Sequence, residues 1–207
     1  MNITLIYFKF PFWRAEVSRL ALHLGGIEFE NRCIDGAEFR AARSDGRLPF
    51  GQVPVLIVDG VTIAQTGAIA RFCGKLSGLY PTDDPIAAAR IDQLIDAATD
   101  ITARMNTGSS TDPDAKLAAR KVLAETTLPQ WFGFLEALAP SDRNGFFVGD
   151  SLSVADLAIW RLMGWFQSGI LDGIPATIVD DFPRLSAHAR RIGSMPAIRD
   201  WMDTNYG

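Results

Sequence analysis

Residues Phe50–Phe72 read FGQVPVLIVDGVTIAQTGAIARF. This stretch predicts a strand, a tight turn, a second strand and a helix. Asp59-Gly60, a dipeptide suited to a two-residue hairpin turn, stands between two β-rich runs. Pro54 stands at the entrance of the first run, the one residue type before which a cis peptide bond is readily accommodated. A cis bond there would turn the Val53 backbone outward, leaving its N–H and C=O to pair with an extended peptide as a false strand. Gln65-Thr66 falls where the hairpin feeds a helix carrying Ala68, Ile69 and Phe72. Helix starts leave backbone N–H groups unpaired, so polar side chains at this point predict an anion site.

Working outward, residues 3–8 (ITLIYF) read as a strand. Trp13–Leu24 reads as a helix, with Val17, Leu20, Ala21 and Leu24 at helical spacing and Gly25-Gly26 ending it. Phe29–Ile34 reads as a short strand, and residues 35–49 as an irregular charged loop. The first 79 residues therefore follow the order β-α-β-loop-β-β-α. Residues 80–84 form a linker rich in turn formers, with Asp84 placed to cap a helix and Pro85 in its first turn. From 85 to 207 every periodic segment is helical: Ile86–Met105, an interruption at Asn106–Pro113, Ala115–Leu138 with a bend near Pro129, Ser153–Gly169, Phe182–Ile192 and Met195–Met202. Ser153-x-x-Asp156 is an acidic capping box, and Leu152 can staple onto the turn it opens. The expected architecture is an α/β thioredoxin-like domain at 1–79 followed by an all-α domain at 85–207.

Composition narrows the function classes. A net charge of −4 and a pI near 5.2 lack the basic face a nucleic-acid backbone demands. No apolar run approaches the ~20 residues a membrane span needs. The N-terminal MNITLIYFKF has neither a charged leader nor a small-residue cleavage site, and reads as a first strand. Cys33 and Cys73 form no C-x-x-C pair and no metal-ligand cluster, so two buried thiols in a reducing cytoplasmic setting are expected, with no metal.

Gln52-Val53-Pro54 and Gln65-Thr66, in this order and at this separation, resemble the thioredoxin-like domain of the cytosolic glutathione S-transferases. The resemblance covers the whole layout, including the capping box. It implies that Val53, before Pro54, pairs with the cysteinyl backbone of glutathione, and that Gln65 and Thr66 hold its γ-glutamyl carboxylate. It further implies that Tyr7, at the end of the first strand, hydrogen-bonds the glutathione sulfur. A free thiol has a pKa near 8.5, so stabilising its thiolate is the chemical task, and a tyrosine hydroxyl, pKa about 10, is a donor that keeps its proton. The segment KFPFWRAE that follows Tyr7 carries no serine or cysteine to take that role. Tyr7-Phe8, Arg14-Ala15-Glu16, Leu48-Pro49-Phe50-Gly51 and Ala68-Ile69-Ala70-Arg71 resemble the sigma class most. That class implies an arginine supporting the tyrosine, matched by Arg14, whose alternative is a surface helix-start arginine. It also implies an aromatic residue and a cation at the glycine end of glutathione, matched by Phe39 and Arg43, where the chain keeps the charge but not an indole N–H. Between Arg43 and Leu48 the chain is two residues longer than the class.

Asp92, Asp96 and Asp100 recur every four residues on one helix, a like-charge stripe that costs a few tenths of a kcal/mol per pair unless something compensates it. The resemblance implies a homodimer in which Asp100 reaches the neighbour's glutathione ammonium. The acidic position before it, part of a metal site in some members of the class, is Thr99 here, again implying no metal. The alternative for the stripe is a solvated face. Phe12 and Trp13 are either walls of an acceptor pocket or core, and Met105 and Trp165 are core residues that could also line it. His23 and His188 read as structural. The expected activity is transfer of the glutathione thiolate to small, largely apolar electrophiles. Its rivals are a non-catalytic binding or structural protein of the same fold and a glutathione-dependent isomerase.

Overall fold

The computed structural model describes residues 1–106, 112–142 and 145–207. A sheet of four strands forms first. β1 (Ile3–Tyr7) pairs in parallel with β2 (Glu30–Cys33) and antiparallel with β3 (Val55–Val58), and β3 pairs antiparallel with β4 (Val61–Ala64), giving the order β2-β1-β3-β4. The hairpin turn is Asp59 at φ 46° and Gly60 at φ 85°, the two left-handed residues such a turn requires. Along β1, Ile3, Leu5 and Tyr7 are buried on one face while Thr4 and Ile6 are half-buried on the other. The inner face is covered by α1 (Trp13–Leu24) and α3 (Thr66–Ser77).

The segment expected to be an irregular loop folds otherwise. Gly36–Ser44 is a helix, α2, and Pro49–Gly51 is a single tight helical turn. The cause is local: the Asp35 carboxylate accepts from the N–H groups of Ala37 and Glu38, each at 2.8 Å, while the Glu38 carboxylate accepts from the Asp35 N–H at 3.1 Å. That reciprocal cap satisfies the donors that otherwise make a short polar helix fray.

The remaining elements are helical: α4 (Pro85–Asn106), α5 (Pro113–Val122), α6 (Leu128–Leu138), α7 (Val154–Gln167), α8 (Pro183–Gly193) and α9 (Pro196–Tyr206). The interruption expected at Asn106–Pro113 lies partly outside the described residues. Asp84 caps α4 through the N–H groups of Ile86 and Ala87, as its position ahead of Pro85 implies. The bend expected at Pro129 is instead a wide i→i+5 turn at Leu123–Thr127 between α5 and α6, with Pro129 in the first turn of α6, where its missing N–H is not needed. α9 runs four residues beyond the expected end at Met202.

α7 is the central helix. Leu157, Ala158, Ile159, Leu162, Met163 and Phe166 are wholly buried, and α7 packs against α1, α4 and α8. Its start is the capping box: the Asp156 carboxylate accepts from the Ser153 N–H at 2.9 Å and its hydroxyl at 2.7 Å. The same buried carboxylate meets the Phe147 N–H and His188 Nε2, each at 2.9 Å, which gives His188 its structural role.

Candidate functional site

The hairpin and the start of α3 make one wall of a cleft. Val53–Pro54 is a cis peptide bond, and neither backbone polar group of Val53 has a ladder partner among the described residues. Gln65, ahead of α3, holds φ 75° and ψ 123°, a conformation that costs an L residue about 1–3 kcal/mol and concentrates at functional sites. Gln52, Val53, Pro54, Gln65, Thr66 and Arg14 line a single cleft of about 380 Å³. Phe50, 73 % exposed and at φ 62°, lies on its rim.

The cleft is also lined by residues not expected there, among them Arg71, Asp96, Thr99 and Asn106. Arg71 sits one turn along α3 from Gly67 and donates to Asp92 at 2.6 Å and Asp96 at 3.3 Å. Asp92 also accepts from the Tyr80 hydroxyl at 3.0 Å. The first two members of the carboxylate stripe are thus compensated by a guanidinium from the neighbouring helix and are not a merely solvated face. Asp100 is not among the residues lining this cleft, and its backbone C=O accepts from Arg104 at 2.9 Å.

A second cleft of about 290 Å³ adjoins the first, with Arg14 and Asn106 common to both. Tyr7 lines it together with Phe10, Phe12, Thr102 and Trp165. Phe12 and Trp165 meet edge to face at 4.9 Å between ring centroids, so both belong to the cleft wall. Trp13, its alternative left open by the sequence, is core: it is wholly buried and donates from Nε1 to Thr102 Oγ at 2.8 Å. Met105 is likewise core.

Tyr7 is 4 % exposed. Burial pushes its pKa up to about 12, partly offset by the positive charges of Arg14 and Arg19. At neutral pH the side chain is therefore a phenol with a hydrogen to give, and it faces a cleft. Arg14 is half-buried between the two clefts rather than on the surface.

Phe39 and Arg43 line neither cleft directly. Phe39 packs edge to face on Phe8 at 5.5 Å. Arg43 lies against the Pro49–Gly51 turn, where a side chain on Gly51 would meet its Nε at 3.3 Å. Arg43 thus stands behind the turn that supplies Pro49 and Phe50 to the first cleft, whereas Phe39 lies against Phe8. The cysteines divide: Cys73 is wholly buried, with burial pushing its pKa up to about 12, whereas Cys33, expected to be buried, is exposed because β2 is an edge strand. Among the described residues no cluster of His, Cys, Asp and Glu could hold a metal ion.

Residues 3–74 match the family model for the glutathione S-transferase N-terminal domain, and residues 99–205 match that for the glutathione S-transferase C-terminal domain. Glutathione S-transferase A3 of Homo sapiens is 28 % identical over 190 residues, covering 91 % of this chain and 83 % of the human protein. Hematopoietic prostaglandin D synthase of Gallus gallus is 31 % identical over 201 residues, covering 97 % of this chain and 95 % of the relative. Among solved structures, Na-GST-3 of the hookworm Necator americanus, described as a monomeric glutathione S-transferase, superposes with a TM-score of 0.79 at 30 % identity, covering 100 % of this chain and 98 % of that one. Both domain models fall on the parts of the fold that build the paired clefts, and the chain belongs to the glutathione S-transferase family.

Proposed function

We propose that this protein is a glutathione transferase. Glutathione lies in the larger cleft, its cysteinyl backbone paired with Val53 and its γ-glutamyl carboxylate held by Gln65 and Thr66 at the start of α3. Tyr7 donates a hydrogen bond to the sulfur, which favours the thiolate by lowering its pKa. The thiol proton passes to solvent. The sulfur then forms a bond to an electrophilic carbon held in the smaller aromatic cleft, and a leaving group, where there is one, departs with the electron pair of the broken bond. Arg14, shared by both clefts, adds a positive charge that favours the anion. Phe39 and Arg43 serve the glycine end, Arg43 through the Pro49–Gly51 turn.

The observation that carries this reading is the join: a buried, protonated tyrosine opens onto a cleft that shares Arg14 and Asn106 with the cleft lined by Gln52, Val53, Gln65 and Thr66. We further assign the protein to the sigma class, place its domain boundary at residues 80–84, and regard it as a cytoplasmic homodimer in detoxification whose Asp100 completes the partner's site. A second reading, a glutathione-dependent isomerase, draws support from the 31 % identity to the chicken prostaglandin D synthase.

The test is retention on immobilised glutathione followed by turnover of a panel of electrophiles that includes a chromogenic aryl halide, an enal and a prostaglandin endoperoxide. Retention with aryl-halide or enal turnover is expected. Retention with no turnover of any electrophile would replace the enzyme with a binding protein, and turnover of the endoperoxide alone would favour the isomerase.

A further inference from the structure

The connection from β1 to α1, Phe8–Phe12, begins at the residue after Tyr7 and carries two walls of the aromatic cleft, Phe10 and Phe12. Two guanidiniums hold its carbonyls. Arg19 Nη2 donates to Phe8 O at 3.0 Å and Nη1 to Phe10 O at 3.4 Å. Arg161, from α7, donates to Pro11 O through Nε at 3.1 Å and Nη2 at 2.5 Å.

Arg19 is wholly buried, as is its ion-pair partner Glu16 at 3.1 Å. Burying both charges costs several kcal/mol per ion unless the remaining donors and lone pairs are filled. They are filled from the far end of the chain. The Tyr206 hydroxyl donates to Glu16 Oε2 at 2.6 Å and accepts from Arg19 Nη1 at 2.8 Å. Trp201 Nε1 donates to Glu16 Oε1 at 2.5 Å. Asn31, on β2, accepts from Arg19 Nε at 2.9 Å. Apolar residues of similar volume would stabilise this junction at least as well. What they would lack is a rigid planar fork aimed at two carbonyls. The guanidinium carbon also lies 5.7 Å from the centroid of the Tyr7 ring.

We propose that Arg19 is a positioning residue for Tyr7 and that Tyr206, at the end of α9, is the latch that locks Arg19 in place. This rests on Tyr7 being the thiol activator, and deepens that reading. The C-terminal helix sets the activator from behind, through the carbonyls of the turn, without touching either cleft. Tyr206 suits the task because burial, with Glu16 beside it, raises its pKa, so the hydroxyl keeps the hydrogen it donates.

The experiment compares wild type, Tyr7→Phe, Tyr206→Phe, Trp201→Phe and the double variant Tyr7→Phe/Tyr206→Phe. Steady-state kinetics are taken against pH, with thermal midpoints alongside. Tyr206→Phe keeps the ring and loses only the latch hydroxyl. Its kcat is expected to fall about tenfold to a hundredfold, the scale of an ångström misplacement. The KM for glutathione should stay within about twofold, because the Gln52–Thr66 cradle is untouched, and the pH–rate profile should move to higher pH. The double variant should be no slower than Tyr7→Phe alone. A Tyr206→Phe protein with a lower thermal midpoint but unchanged kcat and pH profile would reduce the latch to a structural brace and overturn the proposal. So would losses that multiply in the double variant.

A failure of the underlying function is separable. If wild type turns over nothing, the transferase reading falls, and the latch is judged from 13C-labelled tyrosine resonances, with that of Tyr7 identified by its loss in Tyr7→Phe. The chain has three tyrosines. A Tyr7 resonance that moves in Tyr206→Phe supports the latch, and one that does not overturns it.

Discussion

Tyr7 is almost entirely buried, yet it lines a cleft. Desolvation dominates its titration and keeps the phenol protonated far beyond neutrality. Tyr7→Phe removes one hydroxyl from a packed ring and leaves the larger cleft intact. Turnover is expected to fall about tenfold to a thousandfold, corresponding to about 1.4–4 kcal/mol of transition-state stabilisation. Glutathione affinity should change little, and the apparent pKa of the bound thiol should rise. Steady-state kinetics with a pH series checks this, and unchanged turnover would pass the role to Arg14.

Among the elements, α2 and α7 show how much a helix start decides. α2 buries only Ala42, so packing does little for it, and its cap carries more of the load. Asp35→Ala is expected to lower global stability by about 1 kcal/mol in chemical denaturation. It should also raise the KM for glutathione, since α2 carries Arg43, which lies against the Pro49–Gly51 turn at the cleft rim. An unchanged KM would detach α2 from the site. In α7 the start is buried and its carboxylate meets three residues, Phe147, Ser153 and His188. Asp156→Ala strands those partners in the core, and a loss of about 3–5 kcal/mol follows. A measured loss below about 1 kcal/mol would mean the cluster relaxes into solvent. The Asp35-x-x-Glu38 box was readable in the sequence by the same rule that identified Ser153-x-x-Asp156. It was obscured because the residues after it are charged, and a nine-residue helix with one buried side chain has almost no apolar periodicity to detect.

At the scale of the whole molecule, two predictions concern association and pH. Asp92 and Asp96 are engaged by Arg71, whereas Asp100 lines neither of the two clefts described. If it serves a partner's site, Asp100→Ala weakens glutathione binding about tenfold to a hundredfold, the worth of a charged hydrogen bond of about 1.5–3 kcal/mol. Dilution to monomer should weaken wild-type binding at least as much. Calorimetric titration with sedimentation checks both, and a monomer that binds as tightly as the dimer would end the shared-site model. The second prediction follows from Cys73 and Tyr7, both buried as neutral acids with pKa values pushed up to about 12. The unfolded chain releases these protons first, at about pH 8.5–10. Their contribution is therefore fully present below about pH 8.5 and is lost as pH rises toward 12, at about 1.4 kcal/mol per pH unit for each group titrating. Denaturation at fixed temperature across pH 8–12 should show a flat region and then a steep fall. A Cys73→Ala variant that keeps the full slope would remove that residue from the account.

The hairpin, the glycine-terminated α1, the Asp84–Pro85 and Ser153–Asp156 helix starts and the paired Gln52-Val53-Pro54 and Gln65-Thr66 signals were determined by the sequence itself, because turn chemistry, capping and periodicity act over a few residues. Those short-range rules sufficed for the sheet-then-helices architecture and for one wall of the larger cleft. What tertiary structure alone decided were the choices that depend on distant chain. Phe12 and Trp13 are adjacent, and only the tertiary packing around the start of α1 sends Trp13 to Thr102 on α4 and Phe12 to Trp165 on α7. The carboxylate stripe finds its partner in Arg71 on another helix. Glu16 and Arg19 lie three residues apart on α1, but the hydroxyl that completes them comes from Tyr206, 187 residues beyond Arg19. A buried charge is satisfied by whatever the fold brings within about 3 Å, and that is a property of packing, which no local pattern encodes.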